Sequence, residues 1–256
     1  MNHNKKIKGV ILAGGTGSRL YPLTKVINKH LIPVCNLPMI YYAINNLTKA
    51  NISEILIITG TEHCGSIISQ LGDGSDFNCN LTYKVQSKAG GIAQALSLAE
   101  DFANNLPMCV ILGDNIFNFN ISQYLNHYCQ DQDLYNSYAE LFLYSVKDPK
   151  RFGIAEIDKS TNTIINIEEK PSNPKTNYAV TGIYIFDHTV FDKIRMLKPS
   201  ARGELEITDV NNMYVNQHKM LYHLIDDQKY LWSDAGTFES LTYVNNMLYK
   251  DQQNEI

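Results

Sequence analysis

A glycine-rich loop directly after a short apolar run constrains this chain more than any other feature. The run Val10–Ala13 has the length and composition of a buried strand, and the loop Gly14–Gly17 contains three glycines. Glycine lets successive backbone N–H groups turn toward a single anion, and Arg19 and Lys29 follow soon afterwards in the chain. The pattern predicts a cradle for the phosphates of a nucleoside triphosphate.

Two familiar phosphate-binding loops do not fit this segment. A Walker loop requires Gly-Lys followed by Ser or Thr, which the sequence does not contain. A dinucleotide-binding loop requires a third glycine where this chain has Leu20. A tight turn between a strand and a helix is the simpler alternative, and the position of the two cations argues against it.

Composition and charge exclude several classes of partner. The 256 residues are 44% hydrophobic, which is enough to fill one large core. The formal net charge of −4 and the lack of a lysine or arginine block argue against nucleic acid and anionic membranes. The five cysteines show no metal-binding spacing, and no apolar run reaches the ~18 residues of a membrane span. We therefore expect a cytoplasmic protein that binds small molecules.

The first half of the sequence alternates between strand and helix patterns. Short apolar runs predict strands at Val10–Ala13, Ile55–Thr59 and Cys109–Leu112. Helical patterns lie between or after them at Pro38–Ala50, Cys64–Leu71 and Ile92–Asn104. This order predicts an α/β fold with a mainly parallel sheet whose ligands bind at the carboxyl ends of the strands.

Strand patterns dominate the second half. The predicted strands are Ala139–Val146, Ile154–Asp158, Thr163–Glu168, Tyr178–Phe186 and Met220–Ile225. The predicted helices are His188–Met196, Glu206–Gln217 and Phe238–Lys250. No linker-like segment separates the two halves, so we predict a single domain over residues 1–256.

Two aspartates are candidate metal ligands. Asp114 follows a predicted strand, so its carboxylate would emerge at the ligand-binding edge of the sheet, and Asp234 lies between an aromatic residue and a glycine. Two carboxylates together with substrate phosphate oxygens suit Mg²⁺, which keeps several waters and rarely occupies an all-protein cage. An aspartate after a strand can equally cap a turn or a helix, and this alternative stays open for Asp114.

Two charged segments of the second half each allow two interpretations. Glu168–Pro171 contains a Glu-Glu-Lys run whose simpler interpretation is a solvated surface. Ser200–Asp209 contains Arg202, which could hold a phosphate where a helix begins. The alternative is a loop followed by an amphipathic helix with acidic residues near its N-terminus.

Taken together, these segments resemble the sugar nucleotidyltransferase family, and Asn177–Gly182 and Arg202–Asp209 resemble its thymidylyl-transferring branch. The resemblance extends from Lys8 to about Tyr249. The segments that carry it are Gly14–Thr24, Lys29–Val34, Leu37–Tyr42, Leu71–Ser75, Val85–Gln86, Gly91–Ala95, Leu112–Asn115, Glu168–Pro171, Asn177–Gly182 and Arg202–Asp209. It implies a Rossmann-like, glycosyltransferase-A-like sheet flanked by helices. It also implies a nucleotide-binding half up to about residue 135 and a strand-rich sugar-phosphate half from about residue 136.

The resemblance implies nucleotidyl transfer from dTTP to a hexose-1-phosphate, foremost glucose-1-phosphate, with Mg²⁺ as cofactor. The implied catalytic residues are Arg19, Lys29, Asp114 and Asp234, and the two aspartates are the implied metal ligands. The implied nucleotide-binding residues are Leu12, Gly14, Gly15, Thr16, Gly17, Gln86 and Gly91. The implied sugar-phosphate-binding residues are Asn115, Gly153, Glu169, Lys170, Val180, Tyr184 and Arg202. We also expect a homo-oligomer, and weak or absent feedback by a dTDP-sugar because longer family members continue beyond Phe238–Lys250 with helices that help form an effector site.

Several positions depart from the family pattern and keep alternatives open. His30 stands where family members commonly have glutamine, and Gly90, Phe152, Ser233 and Ala235 differ as well. One altered hydroxyl contact can invert a substrate preference, so another hexose-1-phosphate, or UTP in place of dTTP, is an alternative. Another alternative is a non-catalytic subunit that binds a nucleotide sugar. The retention of all four implied catalytic residues argues against it.

Overall fold

A nine-stranded sheet forms the centre of the protein in the computed structural model, which describes residues 7–135 and 138–254. The strands, including two short pairs beside the main sheet, are β1 (Lys8–Ala13), β2 (Pro33–Val34), β3 (Leu37–Pro38), β4 (Glu54–Gly60), β5 (Asn80–Gln86), β6 (Met108–Leu112), β7 (Asn115–Phe117), β8 (Ala139–Ser145), β9 (Gly153–Asp158), β10 (Thr163–Glu169), β11 (Tyr178–Phe186), β12 (Met220–Ile225) and β13 (Trp232–Asp234). The α-helices are α1 (Met39–Lys49), α2 (Cys64–Leu71), α3 (Ile92–Ser97), α4 (Glu100–Ala103), α5 (Ser122–Tyr135), α6 (Val190–Met196), α7 (Ile207–Asn216) and α8 (Phe238–Asn254). Short 3-10 helices lie at Ser18–Leu20, Leu23–Lys25, Lys29–Leu31, Ser75–Phe77 and Pro149–Arg151.

The first half of the chain forms the parallel part of the sheet, as its sequence predicts. β1 lies between β4 and β6, β5 lies outside β4, and all three pairs are parallel. The predictions for β1, β4 and β6 are confirmed because their continuous apolar runs are buried on both faces. β5 was missed, although Asn80–Gln86 alternates between polar and apolar residues as a half-buried strand does, because the prediction for this half rested on continuous apolar runs.

Residues on β1 point alternately into two hydrophobic cores, one on each face of the sheet. Val10 and Leu12 belong to one core, and Ile11 and Ala13 belong to the other. The glycine loop therefore leaves from a strand that is fixed on both sides, at the carboxyl edge of the parallel strands.

β11 joins the parallel part of the sheet to an antiparallel part. It pairs antiparallel with β6, β8 and β9, while β10 pairs antiparallel with β9 and β12 pairs in parallel with β8. The five strands predicted for this half are confirmed to within one residue at each end. The mixed sheet flanked by helices agrees with the predicted fold class, and the predicted division near residue 136 falls at residues 136–137, outside the described part of the chain.

Most of the predicted helices are confirmed, with one correction and one omission. The single helix predicted over Ile92–Asn104 is divided into α3 and α4, because Ser97 Oγ donates to the Gln94 carbonyl at 2.7 Å and the next two N–H groups bond three residues back. α5 was not predicted because its sequence is largely polar, and its first turns contact the core through Leu125 and Tyr128. In the described part of the chain, no helix combines the length and the apolar character needed to cross a membrane.

Two short strands bring the aspartate segments together. β7 begins directly after Asp114, and β13 pairs antiparallel with β7 so that Asp234 lies opposite Asn115. The Ala235 N–H donates to the Asp114 carbonyl at 2.8 Å. Two carboxylates that are far apart in sequence thus meet at the carboxyl end of β6.

Candidate active site

The glycine loop is closely packed at two positions and open at a third. An added Cβ on Gly14 would lie 2.3 Å from Gln86 Oε1, and one on Gly17 would lie 2.7 Å from Thr24 Cγ2. Gly17 has a φ of +67°, and its carbonyl accepts a bond from Thr24 Oγ1 at 2.8 Å. Around Gly15, apart from its chain neighbours, no described atom lies within 4 Å of an added Cβ. The loop therefore has a fixed shape and one open side that an anion can approach.

Lys29 and Asp114 form a buried ion pair in which Lys29 Nζ contacts Asp114 Oδ2 directly. The two side chains are 7% and 16% exposed. Burial alone would raise the pKa of Asp114, but the charge and the hydrogen bond of Lys29 outweigh it and hold that pKa well below its ordinary value. Asp114 is therefore ionised at neutral pH.

His30, beside this pair, is neutral. Burial, together with the charge of Lys29, lowers the pKa of His30 to about 3. Its Nδ1 lies 3.0 Å from Asn28 Oδ1, which also accepts a bond from the His30 backbone N–H at 2.8 Å. Because an amide oxygen only accepts, Nδ1 carries the proton and Nε2 is an acceptor. The ring packs under Gly113, where an added Cβ would lie 2.9 Å from His30 Cδ2.

Asp234 is the second buried carboxylate, and its partner is Arg151. Arg151 Nη2 donates to Asp234 Oδ1 at 3.2 Å and to Oδ2 at 3.1 Å. Burial and the nearby charge of Asp114 raise the pKa of Asp234, while the surrounding cations oppose this rise. Each of the two carboxylates therefore has its own cation, Lys29 for one and Arg151 for the other.

Gly236 marks the point where three charged groups converge. An added Cβ at this position would lie 3.1 Å from Arg19 Nη2, 3.2 Å from Asp234 Oδ2 and 3.4 Å from Lys29 Nζ. Any side chain here would enter the space between these groups. The absence of a Cβ leaves that space open to a polyanion.

Asn115 connects the two aspartate segments to the sheet. Its Oδ1 accepts bonds from the Gly182 N–H at 3.0 Å and from Trp232 Nε1 at 2.7 Å, and its Nδ2 donates to Asp114 Oδ1 at 3.0 Å. The side chain is buried. Asn115 therefore lines the groove and also orients the Asp114 carboxylate.

Glu169 and Thr208 form a polar centre on the opposite wall. Thr208 Oγ1 donates to Glu169 Oε2 at 2.7 Å, and an added Cβ on Gly153 would lie 3.3 Å from both of these oxygens. Lys170 Nζ lies 3.5 Å from Glu169 Oε1, and the Lys170 backbone has a φ of +46°, in the left-handed region that is uncommon for a residue with a side chain. Glycine at position 153 thus keeps this polar centre accessible.

Arg202 faces three carboxylates. Its Nη2 lies 2.7 Å from Glu206 Oε2, 3.3 Å from Glu204 Oε2 and 3.5 Å from Glu169 Oε1, and its Nε donates to Glu206 Oε1 at 3.2 Å. The Arg202 side chain is 41% exposed. It is a solvent-accessible cation whose charge is already balanced by the protein.

Of the residues implied to read the base, Gln86 is bonded to Gln94 and Gly91, and Gly91 packs against the segment that precedes α7. Gln86 Nε2 donates to Gln94 Oε1 at 2.6 Å and to the Gly91 carbonyl at 3.4 Å. Gly91 has a φ of +99°, and an added Cβ would lie 2.4 Å from the Leu205 carbonyl. The Leu205 N–H donates to the Gly90 carbonyl at 2.8 Å. These contacts require glycine at position 91 and connect the two sides of the groove.

One groove of about 400 Å³ brings together almost all of the residues singled out from the sequence. Thr16 lines an adjoining recess of about 100 Å³, while Gly17 lines neither space and instead forms the turn described above. The remaining predicted residues in the groove are Leu12, Gly14, Gly15, Arg19, Lys29, Gln86, Gly91, Asp114, Asn115, Gly153, Glu169, Lys170, Val180, Tyr184, Arg202 and Asp234.

Sequence reasoning assigned no role to four polar residues that line this groove in the described part of the chain. They are Arg151, Glu204, Thr208 and Asn211. Arg151 could have been inferred, because a buried carboxylate needs a counter-charge and Arg151 directly precedes Phe152 and Gly153, which the sequence analysis had named. Thr208 and Asn211 gave no such signal, because they belong to an ordinary amphipathic helix pattern.

The donor set fits a magnesium ion that is shared with substrate. Two carboxylates, Asp114 and Asp234, meet in the groove, and no cluster of three or more His, Cys, Asp or Glu side chains with metal-binding geometry occurs among the described residues. Mg²⁺ typically takes one or two carboxylates and completes its octahedron with water and phosphate oxygens. Two carboxylates at a polyanion site match that preference.

Comparisons with known sequences identify one family. A family model described as nucleotidyl transferase matches residues 8–251. Glucose-1-phosphate thymidylyltransferase of Neisseria gonorrhoeae is 45% identical over 235 residues, which cover 92% of this chain and 80% of that protein. The protein of the same name from Mycolicibacterium smegmatis is 40% identical over 236 residues, with the same two coverages.

Solved structures show the same fold. A Bacillus anthracis structure, assigned as a glucose-1-phosphate thymidylyltransferase in complex with sucrose, is 53% identical, has a TM-score of 0.87 and covers 94% of each chain. A UDP-glucose pyrophosphorylase complexed with UDP-glucose has a TM-score of 0.81 at 22% identity, over 96% of this chain and 99% of that one. The second likeness concerns the fold alone.

Proposed function

The chain belongs to the nucleotidyl transferase family, and we propose that it transfers a thymidylyl group from dTTP to glucose-1-phosphate, giving dTDP-glucose and pyrophosphate. The names of relatives that are 40% and 45% identical support this reaction. One observation of the site also supports this reaction. The open glycine loop, two cations and two carboxylates face the polar wall around Glu169 across a single groove, which suits two phosphorylated substrates side by side.

The reaction needs positioning and charge neutralisation more than covalent chemistry. A phosphate oxygen of the sugar-1-phosphate forms a bond to the α-phosphorus of dTTP, and the bond from that phosphorus to the β-phosphate oxygen breaks, with pyrophosphate leaving in line. Both reactants are anionic, so cations must offset their repulsion. Lys29 beside the α-phosphate and Arg19 beside the departing pyrophosphate would do so, and their convergence near Gly236 supports this assignment.

On the nucleotide side, the open face around Gly15 would accept the phosphates and Gln86 would read the base. The Gln86 amide is engaged with Gln94, so an incoming base would exchange that bond for its own. Thymine and uracil present the same hydrogen-bonding groups on the edge concerned. Cytosine and the purines would leave buried polar groups unpaired, at about 1–3 kcal/mol for each group.

On the sugar side, Glu169, Lys170 and Arg202 would hold the sugar-1-phosphate. Lys170 and Arg202 are exposed cations with the charge and reach for its phosphate, and the Glu169 carboxylate can accept bonds from sugar hydroxyls. Gly153 leaves the space beside Glu169 open.

Asp114 and Asp234 would hold Mg²⁺, and the cations Lys29 and Arg151 would neutralise these carboxylates before substrate arrives. A bound Mg²⁺ supplies positive charge to the phosphate oxygens and orients them. The protein's own contribution is to fix both carboxylates, Asp114 through Asn115 and Asp234 through the pairing of β7 with β13.

A substrate panel tests the proposal. Purified protein is incubated with Mg²⁺, each of dTTP, UTP, CTP, ATP and GTP, and several hexose-1-phosphates, and pyrophosphate release is measured. We expect dTTP and UTP to react with glucose-1-phosphate and the other triphosphates to react about 5- to 100-fold more slowly, because each leaves at least one polar group unpaired. A preference for GTP or CTP, or for another hexose-1-phosphate, would contradict the assignment. Binding of dTDP-glucose without any turnover would instead indicate a non-catalytic subunit.

A further inference from the structure

Asn211 on α7 carries a buried amide group that has no hydrogen-bond partner among the described residues. The side chain is 1% exposed, and neither its Oδ1 nor its Nδ2 has a hydrogen-bond partner within the described part of the chain. Buried polar groups in folded proteins are nearly always paired, so an asparagine with both ends unpaired calls for an explanation. Because this one lines the groove, a ligand that enters the groove can supply the missing partners.

The face of α7 that carries Asn211 is the face turned to the groove. Ile207 and Thr208, which lie four and three residues earlier, line the same groove. Thr208 already bonds Glu169, the centre of the proposed sugar side. Asn211 continues that polar line along the helix, in a groove whose lining also includes the apolar residues Ile92 and Val180.

The next residue along the helix shows what a structural asparagine looks like here. Asn212 Oδ1 accepts a bond from the Ile167 N–H at 2.9 Å, and its Nδ2 donates to the Ile167 carbonyl at 2.7 Å. Both ends of that amide are used to hold α7 against β10. Asn211 is one residue away on the same helix and makes neither kind of bond.

The chemistry of the unpaired amide selects the ligand group. Oδ1 needs a donor and Nδ2 needs an acceptor. A phosphate oxygen at neutral pH can serve only as an acceptor, whereas a hydroxyl group donates and accepts. A sugar hydroxyl, or two neighbouring hydroxyls, therefore satisfies both ends of the amide at once.

We propose that Asn211 binds a hydroxyl group of the sugar-1-phosphate and is a specificity-determining residue for the sugar. This proposal rests on the proposed function, since it assigns a contact to the same substrate. A site built to bond a hydroxyl discriminates strongly against a sugar that lacks it, because the amide then stays buried and unpaired.

The test compares Asn211→Leu with the wild-type enzyme on glucose-1-phosphate and on its 2-, 3-, 4- and 6-deoxy analogues. Leucine has a similar volume and no polar group, so the melting temperature should be unchanged or higher. The KM for glucose-1-phosphate should rise about 10- to 100-fold, as expected for a lost hydrogen bond that leaves a buried group unpaired. The KM for dTTP should change by less than about two-fold, because the base and triphosphate lie elsewhere in the groove. For one deoxy analogue, the two proteins should have the same kcat/KM.

Asn212→Leu is the matched control, because it removes two structural hydrogen bonds one residue away. It should lower the melting temperature and leave the sugar discrimination as in the wild type. An unchanged KM for glucose-1-phosphate in Asn211→Leu, or an equal loss on every deoxy analogue, would overturn the proposal.

Asn211→Ala is a second variant, used in case Asn211→Leu does not fold. If neither variant folds, the amide has a structural role and the proposal is overturned. If the wild-type enzyme released no pyrophosphate with any hexose-1-phosphate, the proposed function would fail, and this assignment with it. Wild-type activity without the Asn211 effect would overturn this assignment alone.

Discussion

The two sides of the groove hold their cations in different ways. On the nucleotide side, Lys29 contacts one carboxylate, Asp114, and the two side chains are 7% and 16% exposed. On the sugar side, Arg202 faces three carboxylates and is 41% exposed. Charges interact strongly where water is excluded and weakly where water and salt screen them. The proposed nucleotide side thus contains a buried ion pair with strong electrostatic interactions, whereas the cation of the proposed sugar side is screened by solvent.

This contrast predicts that substitutions on the nucleotide side affect kcat and that those on the sugar side affect KM. A fixed, desolvated charge contributes most where charge moves during the reaction, because it needs no rearrangement at that moment. A screened cation that already has counter-charges contributes mainly to holding the substrate. Three substitutions, taken from the largest expected effect to the smallest, can break or sharpen this comparison.

Asp114→Asn should have the largest effect. It keeps the shape of the side chain but removes the charge that faces Lys29, together with one of the two carboxylates proposed to bind Mg²⁺. We expect kcat to fall by at least ~100-fold, the size typical of losing one strong electrostatic group in an active site. Steady-state kinetics at saturating concentrations of both substrates, with circular dichroism to confirm folding, measure this change.

Asp101→Asn is the matched control for this substitution. Asp101 is 94% exposed and lies 3.5 Å from Lys84, outside the groove. Its replacement should leave kcat within about two-fold of the wild type, because exposed ion pairs contribute little. If Asp114→Asn retained wild-type kcat, the buried charge on the nucleotide side would have no part in the reaction.

Arg202→Ala should have an intermediate effect, on binding of the sugar substrate. We expect the KM for glucose-1-phosphate to rise about 10-fold, the size of one charge-assisted hydrogen bond, with the KM for dTTP nearly unchanged. Arg195→Ala is the control, since Arg195 is likewise held by carboxylates, from Glu100 and Asp192, but lies outside the groove. A change confined to the KM for dTTP would mean that the two sides of the groove are wrongly assigned.

The same division explains which parts of the site could be predicted from the sequence. The nucleotide side is largely local, because Gly14, Gly15, Arg19 and Lys29 follow one another within a single segment after β1. Glycine and charged residues at close spacing carry information that a linear pattern can show. The same holds for the parallel strands, whose continuous apolar runs reflect burial on both faces.

On the sugar side, the motif resemblance indicated the residues but not their partners, because the ion pairs and hydrogen bonds depend on contacts between distant segments. The pairing of Arg151 with Asp234 requires a short 3-10 helix to lie beside β13, which no spacing in the sequence expresses. Asn211 and Asn212 have the same side chain and adjacent positions, yet tertiary packing gives the Asn212 amide two hydrogen bonds to Ile167 and the Asn211 amide none among the described residues. The break between α3 and α4 depends on one serine hydroxyl that bonds the preceding turn.

His30→Gln should have the smallest effect on the reaction at neutral pH, and a clear effect on stability in acid. Burial and Lys29 lower the pKa of His30 from 6.5 to about 3 in the folded protein. Between these two values the unfolded chain binds a proton that the folded protein does not bind. The free energy of unfolding therefore has its full value above pH 6.5 and decreases as the pH falls toward 3. At pH 5 the expected loss from this one group is about 2 kcal/mol.

Glutamine cannot take up a proton in this range, so His30→Gln should remove that part of the acid sensitivity. Urea unfolding at pH 7 and at pH 5 gives the difference in unfolding free energy for each protein, and this difference should be about 2 kcal/mol smaller in the variant. His188→Gln, at an exposed position, is the control and should behave as the wild type. If the unfolding free energy fell by the same amount between pH 7 and pH 5 in His30→Gln and in the wild type, the imidazole would be able to take up a proton in the folded protein. The nucleotide side would then be more accessible to water than its ion pair indicates, and the contrast between the two sides of the groove would be smaller than their exposures suggest.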